Sequence, residues 1–288
     1  MKDKILIREQ CRNVRLVVCD LDGTLLKDDK TLSLHTLEVL RRARERGIFV
    51  TFCTARVPEM AQTYVKLAEV EGPFIACAGA LIWDTVCKRN IYAEYTDPEE
   101  TRRLLSFCYA HVRDYGILTE EGAWFSPESR RAERFAEYNA AARAEGLPEI
   151  PIRYFSAPSH PEAEGRHIYK VAVNNIKPGD CQCVKEYVET RAEKLSYLVS
   201  ESAFLDVFHA GVSKGKTLEK LAGILGVPIS HVCAFGDFDS DNSMLEAAGI
   251  GVAMGNAVEA TKRCADYITD TNENDGVAAF LEQFILQR

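Results

Sequence analysis

Four consecutive apolar residues, Leu16-Val17-Val18-Cys19, run straight into Asp20-Leu21-Asp22-Gly23-Thr24. An unbroken apolar run of this length, closed by an acid, reads as a central strand of a parallel sheet, buried on both faces. Such a strand delivers its acid to the carboxyl edge, where open α/β sheets build their sites. Side chains alternate along an extended chain, so Asp20 and Asp22 leave on the same side. Gly23 permits the sharp turn that follows. Two carboxylates held this close repel unless a cation or a shared proton relieves them. A divalent metal together with a proton-transfer role accounts for the pair.

The rest of the chain fits around that strand. Residues 34–46 have helical periodicity and stop at Gly47, 48–53 form a second buried strand, 58–71 a helix opened by Pro58 and closed before Gly72, and 74–77 a third strand. This βαβαβ order predicts a parallel sheet with right-handed crossovers. The middle differs. Short strands come in pairs at 81–84 with 91–95 and at 116–119 with 123–126, and helical stretches cover 98–113 and 128–145. Pro148, Pro151, Pro158 and Pro161 punctuate a loop-rich region, followed by a strand at 168–174, a helix at 180–191 and strands at 195–200 and 204–208. Alternation then resumes, with helices at 214–225, 241–248, 258–264 and 276–286 and strands at 231–235, 250–253 and 266–268. The expected fold is α/β: a Rossmann-like parallel-sheet core domain made of residues 1–83 and 211–288, interrupted by an inserted α+β domain at 84–210.

Composition excludes several classes. The net charge is −8 and the pI about 5.4, which argues against bulk nucleic-acid binding. No apolar run approaches the ~20 residues that span a bilayer, so no membrane partner is expected. The start Met1-Lys2-Asp3-Lys4-Ile5 has no long apolar core of a secretory signal. Of 10 cysteines, Cys19, Cys53, Cys77 and Cys233 sit in strand patterns, as reduced core thiols do. A cytoplasmic protein is the expectation. Cys181-Gln182-Cys183 has one intervening residue, too few for the usual zinc spacing.

Four patches fall at strand ends or helix starts: Asp20-Leu21-Asp22-Gly23-Thr24, Cys53-Thr54-Ala55-Arg56, Ser213-Lys214-Gly215, and Gly236-Asp237-Phe238-Asp239-Ser240-Asp241. They supply acids, a hydroxyl and a lysine. That inventory suits attack on a phosphoryl group, which needs a nucleophile, a proton donor, a metal and donors for the equatorial oxygens. In this order and spacing the patches resemble the haloacid dehalogenase superfamily of aspartyl phosphotransferases, and within it the Cof-type phosphatases with a large α/β cap. Val252-Ala253-Met254-Gly255-Asn256-Ala257 and Asn274-Asp275-Gly276 extend the resemblance over nearly the whole chain.

The resemblance implies roles. Asp20 matches the nucleophile that forms an aspartyl-phosphate, and Asp22 the general acid and base. Thr54 matches the hydroxyl that binds the transferring phosphoryl group, and Lys214 the cation that orients Asp20 and neutralises phosphate. Asp237 matches a Mg²⁺ ligand, together with the Asp20 carboxylate and the Asp22 backbone carbonyl. Asp241 matches a second acid supporting the metal. The insert is then expected to act as a cap that excludes solvent and chooses the alcohol. The chain departs from the family pattern at Ala55, in place of Gly, at Ala78, in place of Asn, and at Ser240, again in place of Asn.

Two other motifs fail. The stretch 211–217 ends in Gly-Lys-Thr, but Ala210 stands where a P-loop needs its first glycine. Asp237, Asp239 and Asp241 imitate the start of an EF-hand, but Asn242 and Ala248 occupy its sixth and twelfth positions. Asp239 is thus read as a loop acid. His160, His167, His209, Tyr169, Lys170, Trp124 and Arg153, in or beside the insert, are read first as packing or surface residues. The expected function is Mg²⁺-dependent hydrolysis of small phosphorylated substrates: sugar phosphates first, pyridoxal phosphate or nucleotide monophosphates next. The alternatives are a phosphosugar mutase on the same fold and a catalytically weak ligand-binding or regulatory protein. Monomer and homodimer both stay open.

Overall fold

The computed structural model describes residues 3–200 and 204–287, so Met1 and Lys2 lie outside the described residues. The chain starts with α1 (Lys4–Cys11), whose amino end is capped by the Asp3 carboxylate accepting from Ile5 N–H. This helix was not foreseen. It is short, and only Ile7 and Cys11 are buried. β1 (Leu16–Cys19) is fully buried. In α2 (Leu34–Glu45), Ser33 accepts from Thr36 N–H, and Thr36, Val39, Leu40 and Ala43 bury one helical stripe. Next come β2 (Phe49–Phe52), α3 (Pro58–Leu67) and β3 (Pro73–Ala76). α3 stops earlier than its sequence pattern, with Glu69 already at φ 49°.

β3 follows the expected parallel sense but has a second partner. It pairs antiparallel with β4 (Leu81–Asp84), which adjoins β5 (Arg89–Ala93) in a three-stranded sheet. It joins the parallel sheet through the parallel bridge of Cys53 to Ile75, with Thr54 N–H donating to Ile75 C=O at 3.0 Å. The chain reverses just after β3, where Cys77, Ala78 and Gly79 all have positive φ. That turn returns β4 antiparallel along β3.

The middle unit comprises α4 (Pro98–His111), β6 (Asp114–Thr119), β7 (Gly122–Phe125), α5 (Arg130–Glu145), β8 (Ile152–Tyr154), β9 (Ile168–Asn174), α6 (Asp180–Arg191), β10 (Leu195–Ser200) and β11 (Phe204–His209). Its six strands run in the order β10-β11-β9-β6-β7-β8, antiparallel except for β7 with β8. One apolar core joins Leu104, Leu105 and Cys108 of α4 and Val184 and Val188 of α6 to alternate strand residues such as Val171, Val173, Leu205 and Val207. β8 was missed, because three residues among prolines, two of them exposed, show no alternation.

The chain ends with α7 (Lys214–Ile224), β12 (Val232–Gly236), α8 (Asn242–Ala247), β13 (Ile250–Ala253), α9 (Glu259–Cys264), β14 (Tyr267–Ile268) and α10 (Gly276–Phe280), which runs into a π-helical turn over 281–285. Five strands form an all-parallel sheet in the order β14-β13-β12-β1-β2. The chain divides into two compact units, one through Tyr92 and again from Ser213, the other from Ala93 to Val212. The first division falls later than residue 83, because β4 and β5 share a sheet with β3. Among the described residues no helix is long and apolar enough to cross a membrane.

Candidate active site

Strand register assembles the site. Cys19 stands opposite Phe52 on one side and Phe235 on the other. Asp20, Thr54 and Asp237 therefore leave three neighbouring strands at the same edge. Asp20 N–H continues the ladder by donating to Phe235 C=O at 3.0 Å.

Lys214 opens α7 and is 1% exposed. Its Nζ lies 2.8 Å from Asp20 Oδ1 and 2.6 Å from Asp241 Oδ1. Asp241, fully buried, accepts on Oδ2 from the N–H groups of Asp237 and Phe238 at 3.0 and 3.1 Å. One acid thus anchors the lysine and folds the loop that carries the next acid. Asp237 Oδ1 accepts from the Thr24 hydroxyl at 2.7 Å. One carboxylate oxygen each from Asp20, Asp237 and Asp241 lies within 4.8 Å of the others.

Three carboxylates share this pocket with one ammonium. Burial pushes the Asp20 carboxyl well above the usual carboxylate range, and Asp241 and Asp237 push the same way against the pull of Lys214. Burial opposes the Lys214 charge, but Asp20 and Asp241 outweigh it and hold the ammonium firmly protonated. Asp237 is raised to about 6, first by burial and then by Asp241. The donor set is all hard oxygen with surplus negative charge, which fits Mg²⁺.

Asp22 goes elsewhere. Its carboxylate is gripped bidentately by Arg56, with Nε to Oδ2 and Nη2 to Oδ1 both 2.7 Å, and Lys30 Nζ is 3.0 Å from Oδ1. Burial disfavours its charge, but Arg56 and then Lys30 overcome that and hold the carboxyl far below the usual range. Arg56 also lies over the Tyr64 ring, 4.9 Å from its centroid. Sequence reasoning quoted Arg56 without giving it a role. The signal was its place two residues after Thr54. Thr54 is buried, and its hydroxyl accepts from Arg56 N–H at 3.2 Å, so it shapes the turn that presents the guanidinium.

Gly23 is required by geometry. Its φ is +79°, and a Cβ there would lie 2.4 Å from Asp237 Oδ2. Gly23→Ala is expected to lower stability by about 1–2 kcal/mol through the left-handed backbone alone. It should also weaken Mg²⁺ binding by displacing Asp237. Thermal melts with and without Mg²⁺ check this. An unchanged Mg²⁺-induced shift would contradict the second effect.

A profile of the haloacid dehalogenase-like hydrolase family matches residues 17–281. The chain belongs to the haloacid dehalogenase-like hydrolases. Among related proteins of this family, the 5-amino-6-(5-phospho-D-ribitylamino)uracil phosphatase YitU of Bacillus subtilis is 28% identical over 93% of this chain and 97% of its own. The pyridoxal phosphate phosphatase YbhA of Escherichia coli is 28% identical over 94% and 99%. A haloacid dehalogenase-like hydrolase from Bacteroides thetaiotaomicron superposes with a TM-score of 0.80 at 26% identity, covering 94% of this chain and 99% of that one.

Of the departures from the family pattern, Ala78 has no structural explanation. Ala78 is buried at φ 55°, a left-handed conformation that Asn adopts more readily than Ala. Asp239 is exposed and stands outside the acid cluster, as a loop acid should. Residues of the insert weighed as substrate contacts are engaged within it. Arg153 and Arg166 each lie 4.7 Å from the Trp124 ring centroid, and His167 stacks on Tyr95 at 4.3 Å. The buried Lys170 pairs with Asp206 at 2.6 Å, and His209 Nδ1 accepts from Gly211 N–H.

Proposed function

We propose that this haloacid dehalogenase-like hydrolase is a Mg²⁺-dependent phosphatase of small phosphate monoesters, working through an aspartyl-phosphate on Asp20. The observation that carries the reading is the buried acid cluster around Lys214, set at the carboxyl edge of the parallel sheet. In the first step an Asp20 oxygen forms a bond to phosphorus as the bond to the leaving alcohol oxygen breaks. Asp22 gives that oxygen its proton. In the second step water attacks phosphorus, Asp22 takes the water's proton, and Asp20 is released as carboxylate. Lys214 offsets the charge of Asp20 as the phosphate dianion approaches, and the Thr54 hydroxyl donates to a phosphoryl oxygen. The pairing with Arg56 keeps Asp22 ionised, so Asp22 must leave that grip to carry a proton.

Asp20 and Asp237, with the Asp22 backbone carbonyl, would hold the metal, and Asp241 would support them. Bound there, Mg²⁺ neutralises carboxylate charge and polarises the phosphoryl oxygens. The metal-free state carries a signature. With Asp237 at about 6, the folded chain holds a proton that the unfolded chain has already lost. Metal-free stability therefore declines as pH rises from the ordinary carboxylate range to about 6. Mg²⁺ must displace that proton, and any proton Asp20 holds, so its affinity should fall by at least about tenfold per pH unit below about pH 6. Calorimetric titration across that range reads the slope, and a pH-independent affinity would refute the assignment.

Sugar phosphates are the leading substrates and pyridoxal phosphate the next. The relatives named for a ribityl phosphate and for pyridoxal phosphate support esters of small polar alcohols. Phosphate release from a panel of both classes, with Mg²⁺ and with chelator, tests the reading. Metal-dependent release is expected. An isomerised sugar phosphate in place of free phosphate would favour a mutase.

A further inference from the structure

Two cations converge on the Asp22 carboxylate. Arg56 grips both of its oxygens, and Lys30 Nζ adds a contact to Oδ1 at 3.0 Å. The cluster reaches solvent: the side chains of Arg56, Asp22 and Lys30 are 20%, 36% and 46% exposed. Neither cation pairs with any other acid among the described residues. Two positive charges thus share one negative charge in a place that is open to a ligand.

The cations are held there without help from Asp22, and Tyr64 supports both. Its ring lies 4.9 Å from the Arg56 guanidinium, and its hydroxyl donates to Lys30 C=O at 3.1 Å. Lys30 stands at φ 66° in a tight turn, with its N–H donating to Lys27 C=O at 2.9 Å and Lys27 N–H donating to Thr31 C=O at 3.0 Å. Arg56 is fixed a second time where its N–H donates to the Thr54 hydroxyl. Asp22 is the member that moves. Both of its oxygens are engaged, so it reaches a leaving oxygen only by giving up part of this grip. A turn about Cα–Cβ from one staggered well to the next carries the carboxyl by about 2–3 Å. Arg56 and Lys30 then face a vacated, open space shaped by a carboxylate.

We propose that Arg56 and Lys30 bind a carboxylate of the substrate in the place that Asp22 vacates, so that the preferred esters are phosphorylated hydroxy acids. This rests on the phosphatase reading and narrows it. The Asp22 carboxylate shows which group the two cations accept. A guanidinium fork matches the two oxygens of a carboxylate, and the lysine adds a point charge. A hydroxyl in the same place offsets neither charge. The short travel of Asp22 puts the acid group a few bonds from the ester oxygen, as in 3-phosphoglycerate. The exchange also couples two events, because the arriving carboxylate takes over the cations and releases Asp22 to the leaving oxygen.

The test compares 3-phosphoglycerate with glycerol 3-phosphate, which carries a hydroxymethyl group in place of the carboxylate. Phosphate release by the full chain with Mg²⁺ gives kcat/KM for each, with p-nitrophenyl phosphate as a third ester. A preference of about tenfold or more for 3-phosphoglycerate is expected. Lys30→Met should cut that preference by at least about threefold, Lys30→Glu should abolish it, and Lys30→Arg should keep most of it. Each preference is a ratio within one protein, so a lower folded fraction cancels. Release from p-nitrophenyl phosphate with equal release, or none, from the two glycerol-based esters would overturn the proposal and leave the phosphatase reading standing. A full preference retained by Lys30→Glu would overturn it as well. No release from any of the three esters would overturn the phosphatase reading, and the proposal with it.

Discussion

Asp20→Asn is expected to abolish phosphate release, by roughly 10⁴-fold or more, while leaving the folded chain at least as stable without metal. Both halves follow from the same surroundings. Removing a nucleophile that acts with its partners as a unit costs several orders of magnitude in turnover. The Asp20 carboxyl is also destabilised where it stands, since burial and two neighbouring acids oppose its charge. An amide of the same shape relieves that repulsion, and Lys214 keeps Asp241 as its partner at 2.6 Å. Such a trade of stability for activity is common at active sites. Melting curves and steady-state assays of the purified variant read the two effects separately. An inactive variant with a markedly lower melting temperature would show Asp20 to be chiefly structural.

Lys214→Met should be severe in both respects. It removes the only cation in contact with Asp20 and Asp241 among the described residues. Leaving a buried charge without its partner costs about 3–5 kcal/mol. Turnover should fall as well, because Asp20 would then meet a phosphate dianion without its counter-charge. Lys214→Met combined with Asp241→Asn should recover part of the lost stability but none of the activity. That non-additivity is the mark of residues in one network. If the double variant lost stability as the sum of the singles, the buried network would not be the reason for the loss.

The core was legible because each signal had a single physical cause. An apolar run had to be a buried strand, and a glycine after a periodic stretch had to end a helix. Leu16–Cys19 and Ile250–Ala253 stand where their patterns put them. The acids came together because parallel register carries Asp20 and Asp237 to one edge. What escaped depended on pairing. β3 keeps the parallel sense its pattern predicts, but its antiparallel pairing with β4, made by the positive-φ turn at Cys77, Ala78 and Gly79, was not foreseen. β8 has too few residues for any period. The Asp22–Arg56 pair joins residues 34 positions apart, and no local pattern shows which carboxylate a guanidinium will choose.

The most direct test of the account is to trap the phosphoenzyme. The enzyme is mixed with p-nitrophenyl phosphate and Mg²⁺, quenched with borohydride during turnover, and mapped by peptide mass spectrometry. An acyl phosphate on Asp20 is reduced to homoserine at that position, and this is the predicted result. Steady phosphate release with position 20 recovered as unmodified aspartate, or with homoserine at another acid, would contradict it.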